Sequence, residues 1–191
     1  MEYFKKLDDL PVFPDLLDDL DRLLASKTVA WNSGKQICLT STPEQPDNTD
    51  FGCNSLIYDW DKQEKITDEN GKVSINVPLR ENPLTEQQFT HFNSQFKNTY
   101  FETIYNALNT NYNIGRLRLM RSFPKTCLSW HNDGTPRIHY PVSTQEGCFM
   151  VIEDQVKYLE ANTWWFTDTT YKHTAFNASK KERVHLVAVV L

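Results

Sequence analysis

Cysteines and long apolar runs are both scarce in this sequence, and each shortage argues against a class of protein. The 191 residues include 4 cysteines, with no CxxC pair among them. No stretch approaches the roughly 20 apolar residues that a membrane-spanning helix needs. A disulfide framework is therefore not expected, and we expect buried free thiols in a reducing compartment. The four cysteines are Cys38, Cys53, Cys127 and Cys148.

The chain also lacks an excess of positive charge. Its 20 lysines and arginines face 25 acidic residues, which gives a net charge of -5 and a pI near 5.5. Nucleic acids and anionic membrane surfaces attract basic proteins, so we expect neither as a partner. The first residues carry acids where a secretory signal would have its apolar region. We therefore expect a cytoplasmic protein, whose oligomeric state the sequence leaves open.

The N-terminal half carries signals for two helices and a hairpin. Residues 14–26 place leucines at helical spacing behind a proline that suits a first turn. Asn70-Gly71 separates residues 64–67 from the alternating residues 72–77, which predicts a hairpin. Thr85 and Gln88 form the pattern of a capping box, which predicts the start of a second helix. Its apolar face continues to about Leu108 and should pack against a sheet, through Phe89, Phe92, Phe96, Tyr100, Ile104 and Leu108.

From Ile114 onward the pattern changes to that of short strands. Residues 116–121 alternate, residues 147–152 form an apolar run, and residues 183–191 are rich in β-branched side chains. Helices followed by many short strands predict a mainly β fold, a sandwich or barrel with flanking helices. The length suits one domain over residues 1–191. We expect supporting helices and loops in residues 1–113 and the β core in residues 114–191.

The last third also concentrates residues that suit iron chemistry. Two imidazoles and one carboxylate can hold a ferrous ion on one face and leave positions open for a substrate and dioxygen. His131 and Asp133 stand two residues apart, so on a strand both side chains would point the same way. A third ligand must come from elsewhere, and His173 follows downstream. Ten residues later, Arg183 could bind the carboxylate of an organic co-substrate.

Each of these features also has a purely structural explanation. An HxD tripeptide occurs in many surface turns, and His139 before a Tyr-Pro pair suits a turn. Asn177 could cap a turn, and Arg183 could pair with a surface acid. Four unrelated features are not expected in this order and spacing, so the set favours a functional site. Neutral imidazole and carboxylate together suit Fe(II), and the chain has no CxxC pair of the kind that holds structural zinc.

These motifs resemble those of a known enzyme family. The segment from His131 to Arg183 is similar to the 2-oxoglutarate- and Fe(II)-dependent oxygenases, in the branch of aspartyl/asparaginyl β-hydroxylases and bacterial free-proline hydroxylases. The resemblance rests on the HxD tripeptide, an RxH tripeptide and a histidine with downstream asparagine and arginine. In this chain they are His131-Asn132-Asp133, Arg137-Ile138-His139, His173, Asn177 and Arg183.

The resemblance implies a fold, an activity and roles for residues. The implied fold is a double-stranded β-helix (jelly-roll, cupin-like) core. The implied activity is hydroxylation of an amino acid, free or as an Asp, Asn or Pro side chain in a polypeptide. It would consume Fe(II)-bound 2-oxoglutarate and O2 and release succinate and CO2. The implied roles are iron ligands at His131, Asp133 and His173, the distal 2-oxoglutarate carboxylate at Arg183, and proximity to co-substrate or substrate for Arg137 and His139.

The substrate is less defined by the sequence than the chemistry. Animal-type aspartyl/asparaginyl β-hydroxylases lack the carboxylate ligand, so Asp133 shifts the comparison toward the proline-hydroxylase-like members. Arg118 and Arg121 lie on opposite faces of one predicted strand, so only one of them can point inward and bind a substrate carboxylate. Two other classes of function stay open: a cupin-like metal or small-molecule binding module without oxygenase activity, and a zinc-dependent hydrolase or isomerase.

Overall fold

The strands outnumber the helices, as the sequence predicted. The computed structural model describes residues 1–32 and 35–191. Within these ranges the α-helices are α1 (Leu16–Ala25) and α2 (Tyr100–Asn111), and single 3-10 turns lie at Trp60–Lys62, Glu86–Gln88 and Ser94–Phe96. The strands are β1 (Phe4–Leu7), β2 (Gln36–Cys38), β3 (Thr40–Ser41), β4 (Glu64–Thr67), β5 (Val73–Asn76), β6 (His91–Phe92), β7 (Ile114–Ser122), β8 (Thr126–Cys127), β9 (Arg137–Ser143), β10 (Cys148–Ile152), β11 (Gln155–Lys157), β12 (Trp164–Thr167), β13 (His173–Asn177) and β14 (Arg183–Val190).

Two antiparallel sheets form the core. The major sheet has the strand order β1-β12-β9-β14-β7-β2, and the minor sheet has the order β11-β10-β13-β8. Apolar side chains from both sheets, among them Trp165 on β12 and Met150 on β10, share one buried cluster between the sheets. This arrangement is a double-stranded β-helix, so the predicted jelly-roll fold is confirmed. No helix in the described ranges is long and apolar enough to cross a membrane.

The two faces of the major sheet carry different residues, because successive side chains along each strand point to opposite faces. Leu117 and Leu119 on β7 and Leu186 on β14 point to one side, where they join a buried cluster with α1 and α2. Burying such side chains is worth roughly 1.5–3 kcal/mol each. Arg118 and His185, on the same two strands, point to the other side and line a cavity between the sheets. The helices therefore support the sheet from behind, and the polar face is left for chemistry.

The predicted first helix and hairpin are confirmed, and the predicted second helix is wrong as a single element. The capping box exists, since the Gln88 side chain accepts a hydrogen bond from the Thr85 backbone N–H at 2.7 Å. It opens only one 3-10 turn, because β6 then pairs with β3. The Asn93 side chain donates to the Cys38 carbonyl at 2.9 Å and accepts from Ser41 at 2.6 Å. These contacts with a distant part of the chain end the helix before α2 begins.

The apolar face predicted for that helix is buried in part. Asn98 has a positive φ of 61°, which turns the chain before Thr99 caps α2 by accepting from the Phe101 backbone N–H at 3.2 Å. This turn shifts the phase of the helix, and Tyr100 is left 41% exposed, stacked on Phe13 at 5.0 Å. Phe92 is half-buried, and the remaining predicted residues are buried, namely Phe89, Phe96, Ile104 and Leu108.

Two strands from the N-terminal region complete the major sheet. β1 pairs with β12, with Phe4 opposite Thr167, and β2 pairs with β7, with Cys38 opposite Arg118. Apart from the hairpin of residues 64–77, only supporting helices and loops were predicted before residue 114, because strands of three or four residues carry too little alternation to be recognised. The edges of the sheet are therefore built by segments far away in the sequence.

Candidate active site

A cavity between the two sheets collects the predicted site residues. It measures about 90 Å³ and is lined by side chains from both sheets and from the loop between β8 and β9. The six residues singled out from the sequence all line it: His131, Asp133, Arg137, His139, His173 and Arg183. The structure thus brings together residues that lie up to 52 positions apart in the chain.

Three potential metal ligands meet at one side of this cavity. Single ligand atoms of His131, Asp133 and His173 all lie within 4.8 Å of one another. His131 and His173 exchange backbone hydrogen bonds of 3.1 and 2.9 Å, and the Asp133 backbone N–H donates to the Thr169 carbonyl at 2.8 Å. The expected strand through His131 and Asp133 is wrong, since the segment forms only one isolated bridge. These backbone hydrogen bonds, and not a strand, orient the side chains of His131 and Asp133.

The orientation of both imidazole rings suits metal binding. Nδ1 of His131 lies 2.7 Å from the Ser129 carbonyl, and Nδ1 of His173 lies 3.0 Å from the Tyr171 carbonyl. A carbonyl can only accept, so Nδ1 carries the hydrogen and the lone pair of each ring is on Nε2. Burial lowers the pKa of His173, which favours the neutral ring that binds metal. Two imidazole nitrogens with a carboxylate oxygen are a donor set that fits Fe(II).

Asp133 is oriented by a buried network of charges. Arg137 Nη2 lies 3.3 Å from Asp133 Oδ1 and 3.4 Å from Glu86 Oε1, and Arg116 Nη2 lies 2.9 Å from the same Glu86 oxygen. Gly115 makes this network possible, because a Cβ there would lie 2.5 Å from the Glu86 carbonyl oxygen. Sequence reasoning missed Glu86 and Arg116. The only sequence signal near Glu86 was the capping box, which predicts local structure and no long-range contact.

Replacing Glu86 with glutamine is expected to destabilise the fold by about 3 kcal/mol. The glutamate side chain is 11% exposed and its two arginine partners are 5% exposed, so the variant leaves two buried positive charges with less compensation. Thermal unfolding measures this effect, as a decrease in Tm of several degrees. Glu182→Gln is the control, because its ion pair with Arg121 is 45% exposed on the acid side and should contribute little. Equal Tm values for the two variants would contradict a structural role for the Glu86 network.

Arg183 shares the cavity with two buried histidines. Nδ1 of His139 and Nδ1 of His185 lie 3.4 Å apart, and Nε2 of each ring is buried without a partner among the described residues. Arg183 Nε is likewise buried without a partner there, and no carboxylate of those residues pairs with its guanidinium. Burial and the charge of Arg183 lower the pKa of His139 to about 3 and hold the pKa of His185 well below its usual value. Both rings are therefore neutral at physiological pH.

These two histidines should make the folded state sensitive to acid. Their pKa values are lower in the folded than in the unfolded chain, so the unfolded chain binds more protons below about pH 6.5. Stability is then complete above that pH and decreases as pH falls, by about 1.4 kcal/mol per pH unit for each histidine. Urea unfolding between pH 7 and pH 5 measures the slope. The double variant His139→Gln, His185→Gln should show a flatter slope, and an unchanged one would contradict the shifted pKa values.

Arg118 is the second guanidinium in the cavity without an acidic partner among the described residues. Its Nη1 donates to Gln36 Oε1 and to the Cys53 carbonyl, both at 3.1 Å. Burial and the neighbouring charge of Arg116 lower the pKa of Arg118 to about 10, so it is still charged near neutral pH. Arg121 points the other way and stacks on Trp31 at 4.6 Å. Of the two arginines that the sequence left open, Arg118 is the one that faces the cavity.

Comparisons with known proteins agree with this geometry. Residues 65–191 match the family model described as Aspartyl/Asparaginyl beta-hydroxylase. The chain is 25% identical over 150 residues to the L-proline cis-4-hydroxylase of Rhizobium meliloti (strain 1021), which covers 73% of this chain and 49% of that protein. The chain thus spans about half the length of the curated relative it matches. A solved oxidoreductase of the 2OG-Fe(II) oxygenase family from Burkholderia pseudomallei shares the fold, with a TM-score of 0.51 and 13% identity over 98% of this chain and 83% of that one.

Proposed function

The chain belongs to the aspartyl/asparaginyl β-hydroxylase family, as the motifs of its last third predicted, and from this premise we propose that it is an Fe(II)- and 2-oxoglutarate-dependent dioxygenase. It would hydroxylate an amino acid and release succinate and CO2. One observation carries the proposal: two imidazoles whose lone pairs are on Nε2 and one carboxylate converge beside guanidinium groups that have no acidic partner among the described residues.

We assign the metal to His131, Asp133 and His173. When bound there, Fe(II) would supply the redox and dioxygen chemistry that couples decarboxylation of 2-oxoglutarate to oxidation of a C–H bond. The protein's part is orientation. The Ser129 and Tyr171 carbonyls hold the two rings in the metal-binding tautomer.

We assign the distal carboxylate of 2-oxoglutarate to Arg183. Burial without an anion is unfavourable for a guanidinium, and a carboxylate fits its two parallel N–H donors. His139 offers an unpaired Nε2 in the same cavity and would lie near the co-substrate. Arg137 would lie beside the proposed metal ligands, where its ion pair with Asp133 holds one carboxylate oxygen and leaves Oδ2 on the side of His173. Apolar neighbours such as Met120 and Val187 would exclude water from the reacting atoms.

We further propose that the substrate is a free amino acid whose carboxylate pairs with Arg118. Arg183 is assigned to the co-substrate, and Arg137 is already paired with Asp133 and Glu86. Arg118 is then the remaining cavity arginine, and its partners among the described residues are neutral oxygens. An amino acid inside a polypeptide has no α-carboxylate to offer it. The relative from Rhizobium meliloti is named for a free amino acid, L-proline, which makes that compound the first candidate.

Succinate formation tests the proposed activity. The purified chain would be incubated with Fe(II), ascorbate and 2-oxoglutarate, with L-proline, other free amino acids or a proline-containing peptide. We expect succinate to rise with a free amino acid and much less with the peptide. Binding of 2-oxoglutarate without succinate under any condition would favour the cupin-like binding module. A hydrolytic product formed with zinc and without O2 would favour the hydrolase alternative.

Arg118→Gln is expected to raise the KM for a free amino acid substrate by about 10- to 100-fold, because a charged hydrogen bond contributes about 1.5–3 kcal/mol. The matched comparison uses L-proline and L-prolinamide with both proteins. Wild type should prefer the acid, and the variant should treat acid and amide alike. Prolinamide turned over as well as proline by wild type would rule out Arg118 as the carboxylate partner.

A further inference from the structure

We propose that Cys38 and Cys53 are a site of oxidative modification, at which hydrogen peroxide converts two buried thiols into a disulfide. The two Sγ atoms lie 2.8 Å apart although the residues are 15 positions apart in the chain. Both thiols are free and buried. The proposed reaction of the site described above uses neither of them, and the inference does not depend on that reaction.

The surrounding backbone holds both thiols toward each other. Cys38 ends β2, and its backbone N–H donates to the Thr49 carbonyl at 2.8 Å. The Cys53 thiol contacts the same carbonyl at 3.2 Å. Gly52 has a φ of 70° and packs on the Phe89 ring, where a Cβ would lie 2.4 Å from a ring carbon. A side chain at residue 52 would therefore displace the loop, so glycine is what lets Cys53 point inward.

Positive charge next to the pair favours a thiolate at Cys38. Arg118 lies opposite Cys38 in the sheet, and Arg116 donates a hydrogen bond to the Gly52 carbonyl. Burial by itself raises the pKa of Cys38, but the hydrogen bond from Cys53 and the two arginines outweigh it and lower that pKa. The pKa of Cys53 is raised. Cys38 is thus suited to act as the nucleophile, with Cys53 as the thiol that resolves the intermediate.

The chemistry balances with peroxide as the two-electron oxidant. The Cys38 thiolate attacks one peroxide oxygen, the O–O bond breaks, and with one proton the products are a sulfenic acid and water. The Cys53 sulfur then attacks the Cys38 sulfur, the S–O bond breaks, and a second water leaves with the Cys53 proton. Both sulfurs are oxidised and peroxide is reduced. Cys53 is buried but directly precedes the exposed residue Asn54, so an oxidant as small as hydrogen peroxide suits the site.

The cross-link would fix the loop that supports Arg118. The Cys53 carbonyl accepts a hydrogen bond from Arg118 Nη1 at 3.1 Å, so the loop and the guanidinium are directly connected. A disulfide between residues 15 positions apart restricts the unfolded chain and should raise Tm by roughly 6–12 °C.

Peptide mass mapping of the full chain tests the proposal. Reduced protein would be freed of reductant, treated with hydrogen peroxide, alkylated and digested without reduction. We expect a linked peptide pair containing Cys38 and Cys53 with two hydrogens fewer than the free peptides, and a higher Tm that reductant reverses. Cys127→Ser is the matched control, because it removes the exposed thiol and should leave the linked pair unchanged. Cys53→Ser should instead leave Cys38 as a sulfenic acid that a dimedone probe labels.

Two results would overturn the proposal. The first is recovery of Cys38 and Cys53 as alkylated free thiols while Cys127 is oxidised. The second is conversion of Cys38 to sulfinic acid in wild type with no linked peptide. Neither result bears on succinate formation, so failure of the cross-link and failure of the proposed activity are separate outcomes.

Discussion

Replacing His173, His131 or Asp133 with alanine is expected to lower turnover by more than about 100-fold while the chain stays folded. Each variant removes one of three ligand atoms that lie within 4.8 Å of one another. The backbone hydrogen bonds between His131 and His173 do not involve either ring, so the local fold should persist. Anaerobic titration with Fe(II) and succinate formation measure the two parts of the effect, and circular dichroism checks the fold.

Asp133→Ala removes a ligand atom and a negative charge together. It leaves Glu86 as the acidic partner of Arg137 among the described residues. His91→Ala is the control for the loss of a histidine, because His91 pairs with Asp47 at 3.1 Å outside the cavity. It should bind Fe(II) as wild type does. Near wild-type turnover in any of the three site variants would remove that residue from the ligand set.

Arg183→Gln is expected to weaken 2-oxoglutarate binding by about 100-fold or more, since leaving a buried carboxylate unpaired costs about 3 kcal/mol. Arg183→Lys should weaken it by about 10-fold, because an ammonium keeps the charge but cannot form two parallel hydrogen bonds. Titration of 2-oxoglutarate at fixed metal concentration measures both. The conservative variant distinguishes loss of charge from loss of geometry.

Arg121→Lys is the matched control for Arg183. Arg121 lies on the adjacent strand β7, opposite Val184, and its side chain stacks on Trp31 away from the cavity. Its substitution should not change co-substrate affinity. An unchanged affinity in Arg183→Gln would assign the distal carboxylate to another group, with Arg137 and His139 as the next candidates.

Local patterns predicted those parts of the fold that local contacts build. The leucine spacing behind Pro14 predicted α1, and Asn70-Gly71 predicted the hairpin of β4 and β5. The helix predicted from Thr85 is wrong because the chain forms only its first turn and does not continue as a helix. There, pairing of β6 with β3 and the hydrogen bonds of Asn93 to residues more than 50 positions away outweigh helical spacing.

The same distinction between local patterns and long-range contacts applies to the candidate site. Residue types and spacing were enough to select His131, Asp133 and His173, which the fold brings together. Glu86 and the thiol pair could not be recognised from the sequence. Each depends on a contact between two separate segments of the chain, and the sequence does not show that these segments meet. Such contacts depend on sheet register, and a register of short strands has no signature in one sequence.

The position of β14 in the major sheet has a consequence for the order of folding. This strand lies between β9 and β7 near the middle of the sheet, yet in the sequence it follows every other strand of that sheet. During synthesis, the edges of β7 and β9 that will face β14 therefore have no partner strand until β14 has been made. Closure of the sheet then joins segments that are far apart in the sequence. This step is slow because the chain between them loses entropy when the loop closes. A nascent chain of this protein would be open to edge-to-edge association until β14 is made.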